Sequence, residues 1–270
     1  MCASFAACPV IPRANLFPDS GSAYPIIRPG SSDTNVGNRN FLNDGLIRVY
    51  SADGTGNIAN AATVTAQVET GGAGGGTLTA TNTNGTGLAY TTGLISQGFN
   101  FDGVDDVLTS ANTGLRTGTN SRSFSVWVKP NNVGANQGVF FYGANTNLNG
   151  TGLIITSDRR ARIHGGGTDT CDSAASLINW SAWNYIAFRF AGAGGNVSMY
   201  VNGTESSCGN KAWNTSAGNF TLGIHPAEAQ RFSGVIDEFA SWNVDNAANN
   251  QNHLPRQMLQ RQNPTPSYVP

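Results

Sequence analysis

The chain has 270 residues, of which 39% are hydrophobic and only 11% charged, with a net charge of −1. A charged fraction well below the roughly 25% of ordinary domains leaves Asn, Thr, Ser and Gly to solvate the surface, and these residues favour turns over helices. The near-zero charge and the lack of any Lys/Arg block exclude nucleic acid as a partner, and no apolar run reaches the ~18 residues of a membrane-spanning helix, which excludes membrane insertion of that kind.

Residues 1–40 read as an extended N-terminal arm. Pro9, Pro12, Pro18, Pro25 and Pro29 fix φ and remove donors, while Phe5, Val10, Ile11, Leu16, Phe17, Tyr24, Ile26 and Ile27 need cover. The arm either folds back on its own domain or docks on a neighbouring protein subunit, and the second reading is preferred. The opening MCASFAACPVIPRANLFP lacks a basic start and is broken by prolines, so no secretory signal is expected. Release inside a virus particle would still bring such a chain outside.

Residues 41–244 read as one β-domain. Strands are expected at 45–51 (GLIRVYS), 62–69 (ATVTAQVE), 94–108, 124–130, 138–142 (GVFFY), 151–157 and 159–164. Further strands are expected at 180–190 (WSAWNYIAFRF), 197–200, 220–224 (FTLGI) and 234–242 (GVIDEFASW). In SFSVWVKP, Phe124, Val126 and Val128 alternate with Ser125, Trp127 and Lys129, the period of two that marks a strand with unlike faces. Asp102-Gly103 and Asp105-Asp106 interrupt the preceding strand with turn chemistry. Asn202-Gly203 between alternating runs predicts a tight hairpin. The Gly-rich stretch 71–87 is read as loop or short hairpin, since no Lys-Ser/Thr and no helix follows it as a phosphate loop requires. Residues 245–270 form an irregular C-terminal tail with at most short helical turns around Pro255.

Taken in order, FDGVDD, SFSVWVKP, WSAWNYIAFRF, the VNG hairpin, FTLGI and GVIDEFASW resemble the laminin-G-like, concanavalin-A-like jelly-roll family over about residues 45–243. The resemblance implies an all-β, two-sheet antiparallel jelly-roll sandwich flanked by irregular arms. It leaves the ligand open, because lectins, glycosidases, adhesins and structural modules share this fold.

Three chemistries are tested against the residues. Glycosidases need two carboxylates facing each other across a bond. None of the four glutamates, Glu69, Glu205, Glu228 and Glu238, has a carboxylate two or four residues away in a strand, and the adjacent Asp237 and Glu238 point to opposite faces, so no enzyme is expected. Calcium is implied by the family, with Asp102 and Asp237 as first ligands near Asp105 and Asp106; the competing reading is that these aspartates only make Asx turns. Glycan contact would fall to Trp213, Trp180 or Tyr142 near loops, each alternatively a lid over the core. Trp127, Trp183 and Trp242 match family positions that pack the sandwich.

Of the four cysteines, Cys171 and Cys208 lie near strand ends and are either bridged or two free thiols; no Cys-x-x-Cys occurs and the three histidines are scattered, so structural zinc is not expected. Seven Asn-x-Ser/Thr sequons arise by chance in so Asn/Thr-rich a chain. The reading that emerges is a non-enzymatic structural or surface-binding protein. First comes a virion component, a bacteriophage decoration or fibre protein at the virion surface. A carbohydrate-binding adhesin or lectin of a cell surface comes second, and an endoglycosidase last.

Overall fold

The computed structural model describes residues 46–50, 52, 54–64, 77–84, 87–111, 114–226 and 229–243. The arm 1–40 and the tail 245–270 lie outside the described residues. The strands in chain order are β1 (Leu46–Tyr50), β2 (Thr63–Val64), β3 (Leu78–Thr81), β4 (Ala89–Thr92), β5 (Gln97–Asp102) and β6 (Val107–Ser110). Then follow β7 (Arg122–Pro130), β8 (Gln137–Gly143), β9 (Gly150–Ile155), β10 (Ala161–His164), β11 (Thr170–Asp172) and β12 (Asn184–Phe190). The chain continues through β13 (Asn196–Val201), β14 (Thr204–Asn210), β15 (Phe220–Leu222), β16 (Ile224–His225), β17 (Gln230–Arg231) and β18 (Ser233–Trp242). No α-helix occurs among the described residues.

Two eight-stranded antiparallel sheets form the sandwich. Sheet A runs β14-β13-β12-β7-β18-β5-β4, with β1 also paired to β18; sheet B runs β11-β10-β9-β8-β15-β6-β3-β2. The expected two-sheet antiparallel jelly-roll sandwich is therefore observed. Inward side chains of β7 and β12 (Phe124, Val126, Val128, Ile186, Phe188) join Phe140, Phe220 and Leu222 of sheet B and Phe239 of β18 in one core. Phe124 stacks on Phe188 at 5.0 Å and Phe140 meets Phe239 edge-on at 5.0 Å, contacts that add to the burial of the rings themselves.

Local chemistry explains where elements begin and end. The expected strand 94–108 is two strands in different sheets, because the Asp/Gly turn at 103–106 is the corner where the chain crosses from sheet A to sheet B. The strand expected from Trp180 starts only at Asn184. Ser181 has a φ of 55°, and the Asn184 amide donates to the carbonyls of Asn179 and Ala182, which fixes a turn there. Asn202 and Gly203 take φ of 50° and 87°, the left-handed pair that a tight hairpin demands. β18 carries a bulge between Asp237 and Ala240, with Glu238 at φ 49°. At that bulge its edge partner changes from β5, paired up to Ile236, to β1, paired from Phe239. The hairpin β16–β17 packs on β8 of sheet B.

Cys171 and Cys208 are joined, with Cα atoms 5.5 Å apart. The bridge ties β11 to β14, one terminal strand of each sheet. Beside it Asp169 accepts from Lys211 Nζ at 2.7 Å and from the Trp213 indole at 3.1 Å.

Candidate functional site

The β5–β6 corner begins with Asp102. Its Oδ1 accepts the Val104 N–H at 2.7 Å and the Asp105 N–H at 3.4 Å, an Asx turn. Gly103 is required there: its φ is +83°, and a Cβ would lie 2.9 Å from Ser233 Cβ. Asp106 reaches back, Oδ2 accepting the Asp102 N–H at 2.8 Å. Asp105 Oδ2 accepts the Asn84 N–H at 2.7 Å and the Thr83 hydroxyl, while the Asn84 side chain donates to Asp102 Oδ2 at 3.2 Å. These bonds hold one oxygen of Asp102, Asp105 and Asp106 within 4.8 Å of one another.

The corner is electrostatically loaded. Burial, with Asp102 and Asp105 adding to it, pushes the Asp106 carboxyl up to about 6. The Thr83 hydroxyl holds Asp105 below the usual carboxylate range. Asp105 Oδ1 and Asp106 Oδ1 are buried and have no hydrogen-bond partner. Three hard carboxylates with two orphaned oxygens fit a Ca²⁺ ion, which neutralises such a cluster and completes its shell with water.

Asp237 does not belong to this cluster. β18 pairs Ser233 with Asp102, so Asp237 lies four residues further along, about 13 Å away at strand spacing. Asp237 is fully buried. Its Oδ2 accepts the N–H groups of Leu94 at 2.9 Å and Ile95 at 3.1 Å, and its Oδ1 accepts that of Glu238 at 2.8 Å. Burial still outweighs these donors and raises its carboxyl to about 6. Its role is to pin the β4–β5 loop onto the bulge, and the expected pairing of Asp102 with Asp237 around one ion is corrected accordingly.

Of the two readings of the loop aromatics, sugar contact or lid over the core, burial favours the second for Trp213 and Tyr142. Trp213 is fully buried in the main core, where its indole is spent on Asp169. Tyr142 is fully buried and its hydroxyl donates to the Arg116 carbonyl at 2.8 Å. Trp180 is half-buried against the same core. Conversely, Trp127 and Trp242, expected inside the sandwich, sit on the other face of sheet A with Tyr185 and Tyr200. Trp183 is half-buried in the turn before β12. Period two decides Trp127: with Phe124, Val126 and Val128 pointing in, residue 127 points out.

Sequence reasoning missed the groove beside the corner. It has a volume of about 580 Å³ and is walled by Gly103 and Val104, by Val133 and Asn136 of the β7–β8 loop, and by Gln230 and Arg231 of β17. Val104 and Val133, 65% and 48% exposed, are the exposed large hydrophobic side chains among the described residues, and both line it. Arg231 lines the groove, its Nη1 closed to solvent and without a hydrogen-bond partner, and after the Thr83 hydroxyl its charge helps to lower the Asp105 carboxyl. The only sequence signal was Val104, an apolar residue inside an Asp/Gly turn.

The family model of the concanavalin A-like lectin/glucanases superfamily matches residues 102–249, more than half of the chain. The chain belongs to this superfamily. No curated protein matches the sequence. Among solved structures, domain 4 of the extracellular arabinanase AbnA of Geobacillus stearothermophilus, in complex with arabinotriose, is 23% identical with a TM-score of 0.51, covering 74% of this chain and 92% of that domain. The receptor-binding domain of botulinum neurotoxin type G gives 14% identity and a TM-score of 0.54, over 80% of this chain and 52% of that one. Trypanosoma rangeli sialidase gives 12% and 0.51, over 74% of this chain and 31% of that one. At these identities the likeness is one of fold.

Proposed function

We propose that the chain is a non-enzymatic recognition module that binds carbohydrate in the groove at the β5–β6 corner. The observation that carries this reading is the convergence of Val104, Val133 and the Arg231 guanidinium on one groove beside the aspartate cluster. Apolar side chains pack against the C–H faces of a sugar, and a guanidinium donates to its hydroxyl oxygens. A sandwich of like fold, the arabinanase domain in complex with arabinotriose, supports this reading. The non-enzymatic part rests on the carboxylates: Asp237 is held by three backbone N–H groups, and Glu205 accepts from Tyr200 on the edge strand β14. Asp102, Asp105 and Asp106 hold calcium in this proposal, which stiffens the corner that carries Val104.

We place this recognition on the outer surface of a particle, with a virion component as the first reading and a cell-surface adhesin as the second. The low charge and the Cys171–Cys208 bridge, a bond that persists in oxidising surroundings, support an external setting. The apolar arm 1–40 supplies the attachment to neighbouring subunits.

The test is titration calorimetry against glycans selected from an array, with Val104→Asp, Arg231→Ala and Asp106→Asn compared with the parent protein. Each of the first two substitutions is expected to weaken binding about tenfold or more, the loss of one good contact. Chelation or Asp106→Asn is expected to lower both affinity and thermal stability. Unchanged affinity in Val104→Asp and Arg231→Ala refutes the groove. Reducing sugar released from a polysaccharide panel refutes the non-enzymatic reading.

A further inference from the structure

On the side of sheet B turned away from the core, register places His164, Gly152 and Phe141 in one row across β10, β9 and β8. Their neighbours Ile163, Leu153 and Phe140 belong to the core, so the row faces the other way. Gly152 leaves a notch in it, and the ring of His225 from β16 fills that notch. A Cβ on Gly152 would lie 3.3 Å from His225 Cδ2. Phe141 meets the ring edge-on at 4.5 Å and His164 at 4.6 Å. Gly138 of β8 lets the backbone of β16 come close, since a Cβ there would collide with the His225 nitrogen. His225 is fully buried.

The notch suits a neutral imidazole and not a charged one. Neither ring nitrogen of His225 has a hydrogen-bond partner. The groups around the residue are Gly138 and Phe141 of β8, Gly152 of β9, His164 of β10 and its register partner Gln230 of β17, with Arg231 next to Gln230. His164 is the titratable group whose charge acts on His225, and no carboxylate among the described residues offsets it. His164 Nδ1 accepts the Gly166 N–H at 3.1 Å, which it does as the neutral ring. A proton on His225 is thus a buried, unpaired charge, and burial together with His164 pushes its pKa from 6.5 down to about 4. An apolar side chain would fill the notch without that cost; what the imidazole adds is a charge at acid pH.

Little holds β16 in place. With β17 it forms a two-stranded sheet of its own, through the register pairs Ile224 with Arg231 and His225 with Gln230. At the base of this hairpin the Phe232 N–H donates to the Gly223 carbonyl at 2.9 Å, and the Gly223 N–H donates to the Val139 carbonyl of β8 at 2.8 Å. An element held by so few bonds opens locally, before the domain unfolds. We propose that β16 and β17 are a latch that acid opens: uptake of a proton by His225 lifts both strands from β8 and withdraws Gln230 and Arg231 from the wall of the groove. The released ring binds its proton at higher pH than the buried one, so falling pH favours the open form, by about thirtyfold at pH 5 relative to pH 7.5. A ligand held against Arg231 loses that contact as the latch opens, a consequence that rests on the carbohydrate reading of the groove; the latch itself does not.

Amide hydrogen exchange on the full chain without ligand tests this, each rate being taken relative to that of an unstructured peptide at the same pH. At pH 7.5 residues 223–225 and 230–232 are expected to be at least about tenfold less protected than β7 and β12, and insensitive to low urea, as local opening is. At pH 5 their protection is expected to have fallen about thirtyfold, and His225→Leu is expected to abolish that fall. Hairpin amides as protected and as urea-sensitive as those of β7 and β12 overturn the latch in the parent protein alone, because they open only when the whole domain unfolds. Protection unchanged at pH 5 overturns it as well, and so does a fall that persists in His225→Leu. None of these results touches the carbohydrate reading, since no glycan is present.

Discussion

Breaking the Cys171–Cys208 bridge is the most quantitative perturbation the fold offers. The bridge spans 37 residues of sequence and joins β11 of sheet B to β14 of sheet A. In the chain-entropy account, closing a loop of that length removes freedom from the unfolded chain worth about 4 kcal/mol at 25 °C. Cys208→Ser is the cleaner substitution. Cys208 is half-buried on the edge strand, whereas Cys171 belongs to the core, and keeping Cys171 leaves no cavity. The native arrangement should survive, since Asp169 still holds Lys211 and Trp213 at the same corner. The far-ultraviolet circular dichroism spectrum at room temperature is therefore expected to be unchanged. The melting temperature is expected to fall by roughly 8–16 °C, taking 2–4 °C per kcal/mol for a domain of this size. Differential scanning calorimetry without reductant is the assay. A fall of less than about 3 °C would show that the bridge closes no costly loop, because the unfolded chain already keeps the two strand ends together.

His225 gives the fold an acid sensitivity of known sign. Its two ring nitrogens are buried without partners, with His164 at 4.6 Å and Phe141 at 4.5 Å, and burial with His164 pushes its pKa from 6.5 down to about 4. The unfolded chain binds the proton first, so stability is complete above about pH 6.5 and falls by about 3 kcal/mol on the way to pH 4; His225→Leu should flatten that part of the profile in denaturant titrations. Asp237 works the other way. With its folded pKa raised to about 6, its charge costs the folded state about 3 kcal/mol at neutral pH, a cost that fades as pH falls from 6 to 4. The stability gap between the parent protein and Asp237→Asn is thus expected to shift in the parent's favour over that window, and a gap independent of pH would contradict it. Trp213→Phe should cost about 1–3 kcal/mol through the indole lost from Asp169, with glycan affinity unchanged; lost affinity in a variant of normal stability would restore Trp213 as a contact.

Alternation, turn chemistry and the order of FDGVDD, SFSVWVKP, the VNG hairpin and GVIDEFASW sufficed to name an all-β jelly roll, because strand period and left-handed turn residues are local properties that sequence displays directly. The same local logic left short strands such as β4 and β17 unread, since pairs and quartets of residues carry no period. It also misplaced the tryptophans. The polar stretch NKAWNTSAGN left Trp213 open between a sugar contact and a lid over the core; it is buried, with Asp169, forty-four residues away, supplying the partner its indole needs. Asp237 looked like a ligand beside Asp102 until register set it four residues along β18. Beyond Val104 the groove has no sequence signature: Val104 and Val133 come from two separate loops and Arg231 from the short strand β17. Whether an exposed valine is a stray contact or the wall of a site depends on which loops the two sheets bring to one end, and that is decided by pairings between residues a hundred positions apart.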